Sequence, residues 1–243
     1  MIKPKKSGFG NKKRFYAEIQ NIAISMNFFR NKFSYIYDES LDLINGIVRN
    51  LNALNKKRDN EGIIEKTTKA IINKTDNFEL EYNEIKHAGL KIYLPKFSKN
   101  VKTIANKLDE LSEKEINDIR GLLTEAVACS YLGDVRLQPN LIWDCVFEKN
   151  NSVLIKVGNT QSTDIYYKQK NINLCECKTK PYFKTAQFEF MLKVQEEYKK
   201  ENEEVSLFTF VLQYSVHPTF EDEIKKIPQH FEIKTIENLK LCN

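Results

Sequence analysis

Two strand-like runs in the second half of the chain carry charged side chains at one shared end. The runs, residues 163–168 and 172–178, meet at a polar turn. Asp164 opens the first run, and Glu176 and Lys178 close the second. Charged strand residues usually form a solvated face, but acids and a base gathered at one end of a half-buried hairpin can instead form a cleft that binds a ligand. Paired carboxylates favour a divalent cation, because hard ions such as Mg²⁺ bind oxygen ligands and usually keep waters for chemistry.

The turn sets which residues face each other. If residues 169–171 form the loop, Lys168 pairs with Ile172, and the same register sets Asp164 opposite Glu176. Directly opposed Cβ atoms lie about 4.5–5.5 Å apart in an antiparallel pair, so two carboxylates there repel each other. The sequence therefore predicts a carboxylate pair that binds a divalent metal.

These residues resemble the signature of the PD-(D/E)XK nucleases of the restriction-endonuclease-like superfamily. That signature has an acid at the start of one strand, (D/E)-x-K on the next, and commonly a glutamate on the preceding helix. Its counterparts here are Asp164 in T-D-I, Glu176 and Lys178 in E-C-K, and Glu125 in R-G-L-L-T-E-A-V. The αβββαβ core order of the superfamily matches residues 113–212.

The chain departs from the superfamily pattern at two points. Asp164 follows threonine instead of proline. The Q-x-x-x-Y element of the RecB-like branch is absent, because Gln195 and Tyr198 are one residue too close together.

The resemblance implies metal-dependent hydrolysis of a phosphodiester, with Mg²⁺ as cofactor and Mn²⁺ as a substitute. Asp164, Glu176 and the backbone carbonyl of Cys177 would hold the metal. Glu125 would ligate a metal-bound water or a second metal, and Lys178 would position the attacking water and offset developing charge. Both one-metal and two-metal mechanisms stay open.

The expected function is that of a DNA endonuclease from a restriction or phage-defence system. An RNA nuclease is one alternative. A non-catalytic or partner-activated subunit of a defence complex is another, although the three signature residues argue against a degenerate site. No phosphate-binding glycine loop is present, which argues against a nucleotide cofactor.

The elements around the signature predict a mixed α/β (α+β) fold. A capping box, S-E-K-E at 112–115, starts a helix that runs to about Leu132. β-rich segments follow at 135–148 and 152–158, then the hairpin, a helix at 185–200 and an apolar strand at 205–212. Strand, helix and strand at that spacing form a crossover, so part of the sheet is expected to be parallel.

The preceding residues, 15–96, are expected to form a helical extension. Apolar residues repeat every three or four positions on either side of the polar segment 38–40, which predicts two antiparallel helices, and a third is expected near 60–74. F-E-L-E-Y and L-K-I-Y-L predict a small hairpin ending before Pro95. The extension would recognise sequence, dimerise or dock a partner. The nuclease domain would then span 97–243.

The net charge of +5 is concentrated at the start of the chain, where six bases and no acid precede residue 15. Residues 1–14 are therefore expected to form a basic tail that contacts phosphates or is simply solvated. Arg120 is a further candidate, on the helix of Glu125. The predicted nucleic-acid contacts are Lys5, Lys6, Lys12, Lys13, Arg14 and Arg120.

Composition points to a cytoplasmic location. No stretch reaches the roughly 20 apolar residues of a membrane span, and the start lacks the apolar segment of a signal peptide. The five cysteines are scattered and odd in number, which fits a reducing compartment. No second cysteine or histidine pair accompanies Cys175 and Cys177 at the spacing of a zinc site.

Overall fold

A computed structural model describes residues 1–7, 13–133, 140–150, 153–213 and 218–242. The chain packs into two compact units. The first unit contains Met1–Gly10 and Leu132–Asn238, and the second contains Asn11–Tyr131 and Leu239–Asn243. The fold is mixed α/β, as predicted. The predicted boundary between residues 96 and 97 falls inside a helix.

The described residues form eight α-helices. They are α1 Tyr16–Lys32, α2 Ser34–Lys56, α3 Ile63–Tyr82, α4 Leu90–Ala105, α5 Glu113–Leu132, α6 Thr185–Lys199, α7 Pro218–Ile224 and α8 Ile236–Leu239. A 3-10 turn at Leu108–Glu110 precedes α5. None of these helices is both long enough and apolar enough to span a bilayer.

The first unit is built on a sheet whose strands follow the order β1-β2-β4-β5-β6-β7, with β3 pairing to β2. In this order, adjacent strands from β1 to β5 are antiparallel to each other, whereas β5, β6 and β7 run parallel to each other. The predicted mixed sheet is therefore confirmed. The strands are β1 Ile2–Lys6, β2 Leu141–Lys149, β3 Val153–Leu154, β4 Ser162–Lys168, β5 Ile172–Lys178, β6 Val205–Val211 and β7 Phe231–Thr235.

The core of the first unit lies between α6 and one face of this sheet. Leu174 and Leu207 pair across β5 and β6 and belong to the same buried cluster as Met191 and Val194 of α6. Side chains alternate between the two faces of a strand, so Glu176 follows Leu174 on the α6 side. The charged residues thus occupy the polar end of a face that is otherwise apolar.

The helix predicted from the capping box is confirmed as α5. Glu115 Oε2 accepts hydrogen bonds from the backbone N–H of Ser112 at 2.8 Å and from its hydroxyl at 2.7 Å. The backbone N–H of Glu115 donates to Ser112 Oγ at 3.3 Å. This reciprocal arrangement satisfies donors that a helix start otherwise leaves unpaired.

The small hairpin predicted at 78–82 and 90–94 is wrong, because these segments are the end of α3 and the start of α4. L-K-I-Y-L alternates over five residues, but the longer window places Leu90, Leu94, Phe97 and Val101 on one buried helical face. Pro95 lies within α4 at an exposed position and does not end the helix.

The turn predicted at 38–40 is also wrong, since the chain passes from α1 to α2 at Phe33. Asp38 is buried within α2 and accepts backbone hydrogen bonds from Leu241 at 2.9 Å and Cys242 at 2.8 Å. A polar residue that looked like a turn signal therefore anchors the C-terminal segment, a partner 203 residues away in sequence.

The start of the predicted basic tail is not a tail. Residues 2–6 form β1, which pairs with β2 in the register Ile2↔Lys149, and Ile2 is buried. I-K-P-K-K suits the edge of a sheet, because lysine and proline discourage further strand pairing there. Lys12 lies outside the described residues.

Candidate active site

The hairpin that carries the signature has the predicted register. Lys168 pairs with Ile172, and the ladder continues to Ile165 and Cys175. The regular backbone pairing stops there, one residue before Asp164 and Glu176 would face each other. The strands therefore open at the end that carries the carboxylates.

Asp164 is fixed at this opening by its own side chain. Its Oδ2 accepts a hydrogen bond from the backbone N–H of Cys177 at 2.7 Å, which replaces a strand-to-strand bond with a carboxylate contact. The neighbouring hydroxyl of Thr163 donates to the carbonyl of Cys175 at 2.9 Å. Both contacts hold the Asp164 carboxylate against β5, beside Glu176.

Glu176 is almost fully buried, with 3% of its surface exposed. Its Oε1 accepts a hydrogen bond from Lys178 Nζ at 2.6 Å and another from Gln187 Nε2. Both donors converge on one carboxylate oxygen. They fix the orientation of Glu176 and leave Oε2 free of either donor.

Burial and the neighbouring Asp164 charge raise the pKa of Glu176 to about 7, against the opposing influence of Lys178. Burial disfavours the charged form of Lys178, but the carboxylates of Glu176 and Asp164 outweigh burial and raise its pKa. The lysine therefore stays a cation at neutral pH. The predicted repulsion between the two carboxylates thus appears as a raised pKa on Glu176.

Gln187 is a site residue that sequence reasoning missed. It occupies the first turn of α6, where its Oε1 accepts the backbone N–H of Lys184 at 3.2 Å while its Nε2 donates to Glu176. The available signal was T-A-Q at the start of the first helix after E-C-K. Gln195, the residue considered instead, donates to the carbonyl of Val205 at 2.7 Å and supports the α6–β6 packing.

Glu125, the fourth predicted catalytic residue, lies on α5 in the second unit and is 7% exposed. The first unit by itself therefore brings together three of the four predicted residues. Cys177, expected to contribute a carbonyl, contacts Asp164 through its N–H.

Several of the predicted nucleic-acid contacts are engaged within the protein. Lys5 pairs with Glu148 at 2.5 Å, and Arg14 pairs with Glu110 at 2.6 Å. Arg120 donates to the side chain of Asn117 at 2.8 Å, and its partial burial lowers its pKa. These contacts compete with phosphate binding.

The carboxylate pair suits a hard divalent cation, although no three His, Cys, Asp or Glu side chains of the described residues converge as a metal cluster. The hydrogen bonds above engage Oδ2 of Asp164 and Oε1 of Glu176, and the two carboxylates also interact with each other. Thr209, paired with Glu176 across β5 and β6, is fully buried, and its hydroxyl has no hydrogen-bond partner in the described part of the chain. Mg²⁺ commonly binds one or two carboxylates and keeps several waters, so this donor set fits it.

No family model matches the chain, and no curated protein matches it either.

Proposed function

We propose that the protein is a metal-dependent nuclease that hydrolyses phosphodiester bonds of DNA. The observation that carries the proposal is the convergence of Asp164, Glu176 and Lys178 at the open end of the β4–β5 hairpin. An acid pair with a partly buried, cationic lysine is suited to a reaction that moves negative charge. A solvated strand face would not bury Glu176.

The order of elements supports a restriction-endonuclease-like core. Helix α5, the antiparallel strands β2, β4 and β5, helix α6 and the parallel strand β6 follow one another in the αβββαβ order of the PD-(D/E)XK superfamily. The acid and the E-x-K motif fall on adjacent strands, as the resemblance requires. Strand β1 and helices α1 to α4 are additions to that core.

The carboxylate pair, Lys178 and Gln187 have different tasks in this proposal. Asp164 and Glu176 hold Mg²⁺, which when bound supplies a Lewis acid that stabilises negative charge on the phosphate. Lys178 positions the attacking water and offsets the charge that develops during hydrolysis, with its cationic form secured by the two carboxylates. Gln187 orients Glu176 by holding Oε1, which directs Oε2 away from the helix donor.

The direct test incubates purified protein with plasmid DNA, linear DNA and RNA, each in Mg²⁺, Mn²⁺ or EDTA. Cleavage of DNA that requires metal is expected. Glu176→Ala and Lys178→Ala should each abolish it while leaving the fold intact. Exposed Glu189 on α6 supplies the matched control, and Glu189→Ala should cleave as the wild type does. Persistent metal-dependent cutting by both site variants would overturn the assignment.

The same assay separates the alternatives. Cleavage confined to RNA identifies an RNA nuclease. If the protein binds nucleic acid but cleaves none of the substrates, a partner-activated or non-catalytic subunit is favoured. A restriction or phage-defence role is the biological setting we propose, since a nuclease core with an added helical unit suits recognition or partner docking.

A further inference from the structure

The second unit contains a strongly basic segment that is separate from the N-terminal lysines. Residues 85–108 hold six lysines and no acidic residue, although acids and bases are nearly balanced over the chain at 33 and 38. Helix α4 forms most of this segment. Its lysines are Lys91, Lys96, Lys99 and Lys102.

The four lysines share the outer side of α4. At about 100° per residue they fall within an arc of roughly 140°, opposite the buried stripe that includes Leu94 and Phe97. Lys91 and Lys99 are exposed, and Lys96 is half-buried. The helix thus presents a continuous row of positive charge.

The lysines of α4 differ in whether they form ion pairs with the described residues. Lys102 bridges Asp76 at 2.5 Å and Glu79 at 3.0 Å of α3. In contrast, Lys91, Lys96 and Lys99 make no ion pair with any residue that the structure describes. Their charge is available to a partner, unlike that of Lys5.

Aromatic rings lie at one edge of this row, on the side of Lys96. Tyr93 of α4 stacks on Phe28 with ring centroids 4.4 Å apart, and Phe28 also contacts the ring of His87 at 6.0 Å. His87 is exposed, while Phe28 and Tyr93 are partly exposed. Partly exposed rings beside lysines are typical of surfaces that bind both bases and phosphates.

We propose that the outer face of α4, through Lys91, Lys96 and Lys99, binds the phosphate backbone of a nucleic acid. The inference rests on the proposed function, for which it locates the substrate contact in the second unit. From Lys91 to Lys99 the helix rises about 12 Å, over which one strand of B-form DNA advances by about three to four phosphates. The spacing therefore allows several contacts with one strand.

Nucleic acid fits this face better than a membrane does. An interfacial helix needs a broad apolar face that inserts among lipid chains, whereas the outer side of α4 carries one large exposed apolar residue, Ile92. The rest of that side is lysine, Pro95 and Thr103. This composition provides charge and hydrogen-bond donors without an apolar anchor.

The test compares two triple variants of the full chain that lose the same charge. One carries Lys91→Gln, Lys96→Gln and Lys99→Gln. The matched control carries Lys66→Gln, Lys69→Gln and Lys74→Gln on α3, where acids accompany the lysines and Lys69 already pairs with Glu65. Fluorescence anisotropy in EDTA measures binding to labelled duplex DNA, single-stranded DNA and RNA over a range of salt. Vesicles containing anionic phospholipid form a parallel arm.

The α4 variant should bind nucleic acid at least tenfold more weakly than wild type. Its slope of log affinity against log salt should flatten by about 2 to 3, since each phosphate contact contributes about 0.9. The control variant should retain most of the wild-type slope. The inference would be overturned if both variants lost affinity equally or if neither lost any. It would also be overturned if wild type bound no nucleic acid, or if only vesicle binding changed.

The outcome is independent of the proposed chemistry, because binding is measured without metal. Binding through α4 in a protein that never cleaves would reject the nuclease proposal alone. Cleavage by a protein whose binding ignores the α4 lysines would reject this inference alone.

Discussion

Replacing Glu176 with glutamine should change how the stability of the metal-free protein depends on pH. In the folded state the pKa of Glu176 is raised from 4.5 to about 7, with burial as the first cause and Asp164 as the second. Between these two values the folded protein holds a proton that the unfolded chain releases. The free energy of unfolding of wild type therefore falls as pH rises through this window.

The size of the effect follows from the shift. A raise of about 2.5 pKa units at about 1.4 kcal/mol per unit gives a loss on the order of 3 kcal/mol between pH 4.5 and pH 7. Glutamine keeps the shape and carries no titrating proton. The free energy of unfolding of wild type minus that of Glu176→Gln should therefore fall by about that amount from pH 4.5 to pH 7. The difference should not change further above pH 8.

Urea unfolding followed by tryptophan fluorescence suits this measurement, because Trp143 is the only tryptophan and lies buried on β2 in the same unit. All samples contain EDTA. Glu189→Gln, on the exposed side of α6, controls for the loss of one negative charge. Asp164→Asn should shrink the pH-dependent difference without removing it, since burial remains.

If the free energies of unfolding of wild type and Glu176→Gln differ by the same amount at pH 5 and at pH 8, the reasoning is refuted. It would mean that Glu176 is neither buried nor close to the Asp164 charge in solution. The predicted geometry of the carboxylate pair would then be wrong, whatever the outcome of a cleavage assay.

Three further expectations concern the first unit. Ca²⁺ or Mg²⁺ at a hundredfold excess over its Kd should stabilise wild type by about 2.7 kcal/mol in thermal unfolding, and Asp164→Asn should lose most of that gain. Gln187→Leu should lower metal affinity or cleavage rate about tenfold to a hundredfold in titration and rate assays, whereas Gln195→Leu should lower stability and leave metal affinity unchanged. Ile2→Ala should cost about 2–4 kcal/mol in urea unfolding, because β1 belongs to the sheet and its first side chain is buried.

The β4–β5 hairpin is predictable because its determinants are local. A three-residue turn sets the register, so the pairing of Lys168 with Ile172 could be read from the sequence and is confirmed. Helix α5 was predictable for a similar reason, since the Ser112 capping box spans four residues. Both structures are determined by residues that are close together in the chain.

The errors arose where distant partners decide the structure. Asp38 resembles a turn residue until the C-terminal segment donates to it. Residues 2–6 look like a solvated tail until β2 provides the strand with which they pair. Gln187 becomes a site residue only once β5 places Glu176 beside the first turn of α6.

The same distinction explains why the sequence alone predicts the phosphate contacts at the N-terminus. Net charge alone assigns the excess to the first fifteen residues, since the remainder sums to nearly neutral. However, a lysine is available to phosphate only if it does not already form an ion pair with an acid, and its ion pairs depend on the fold. Lys5 is neutralised by Glu148, whereas Lys91 and Lys99 face outward on a helix without acids. The phosphate contact is therefore expected on α4 and not at the N-terminus. The test is whether replacing the α4 lysines flattens the salt dependence of nucleic-acid binding.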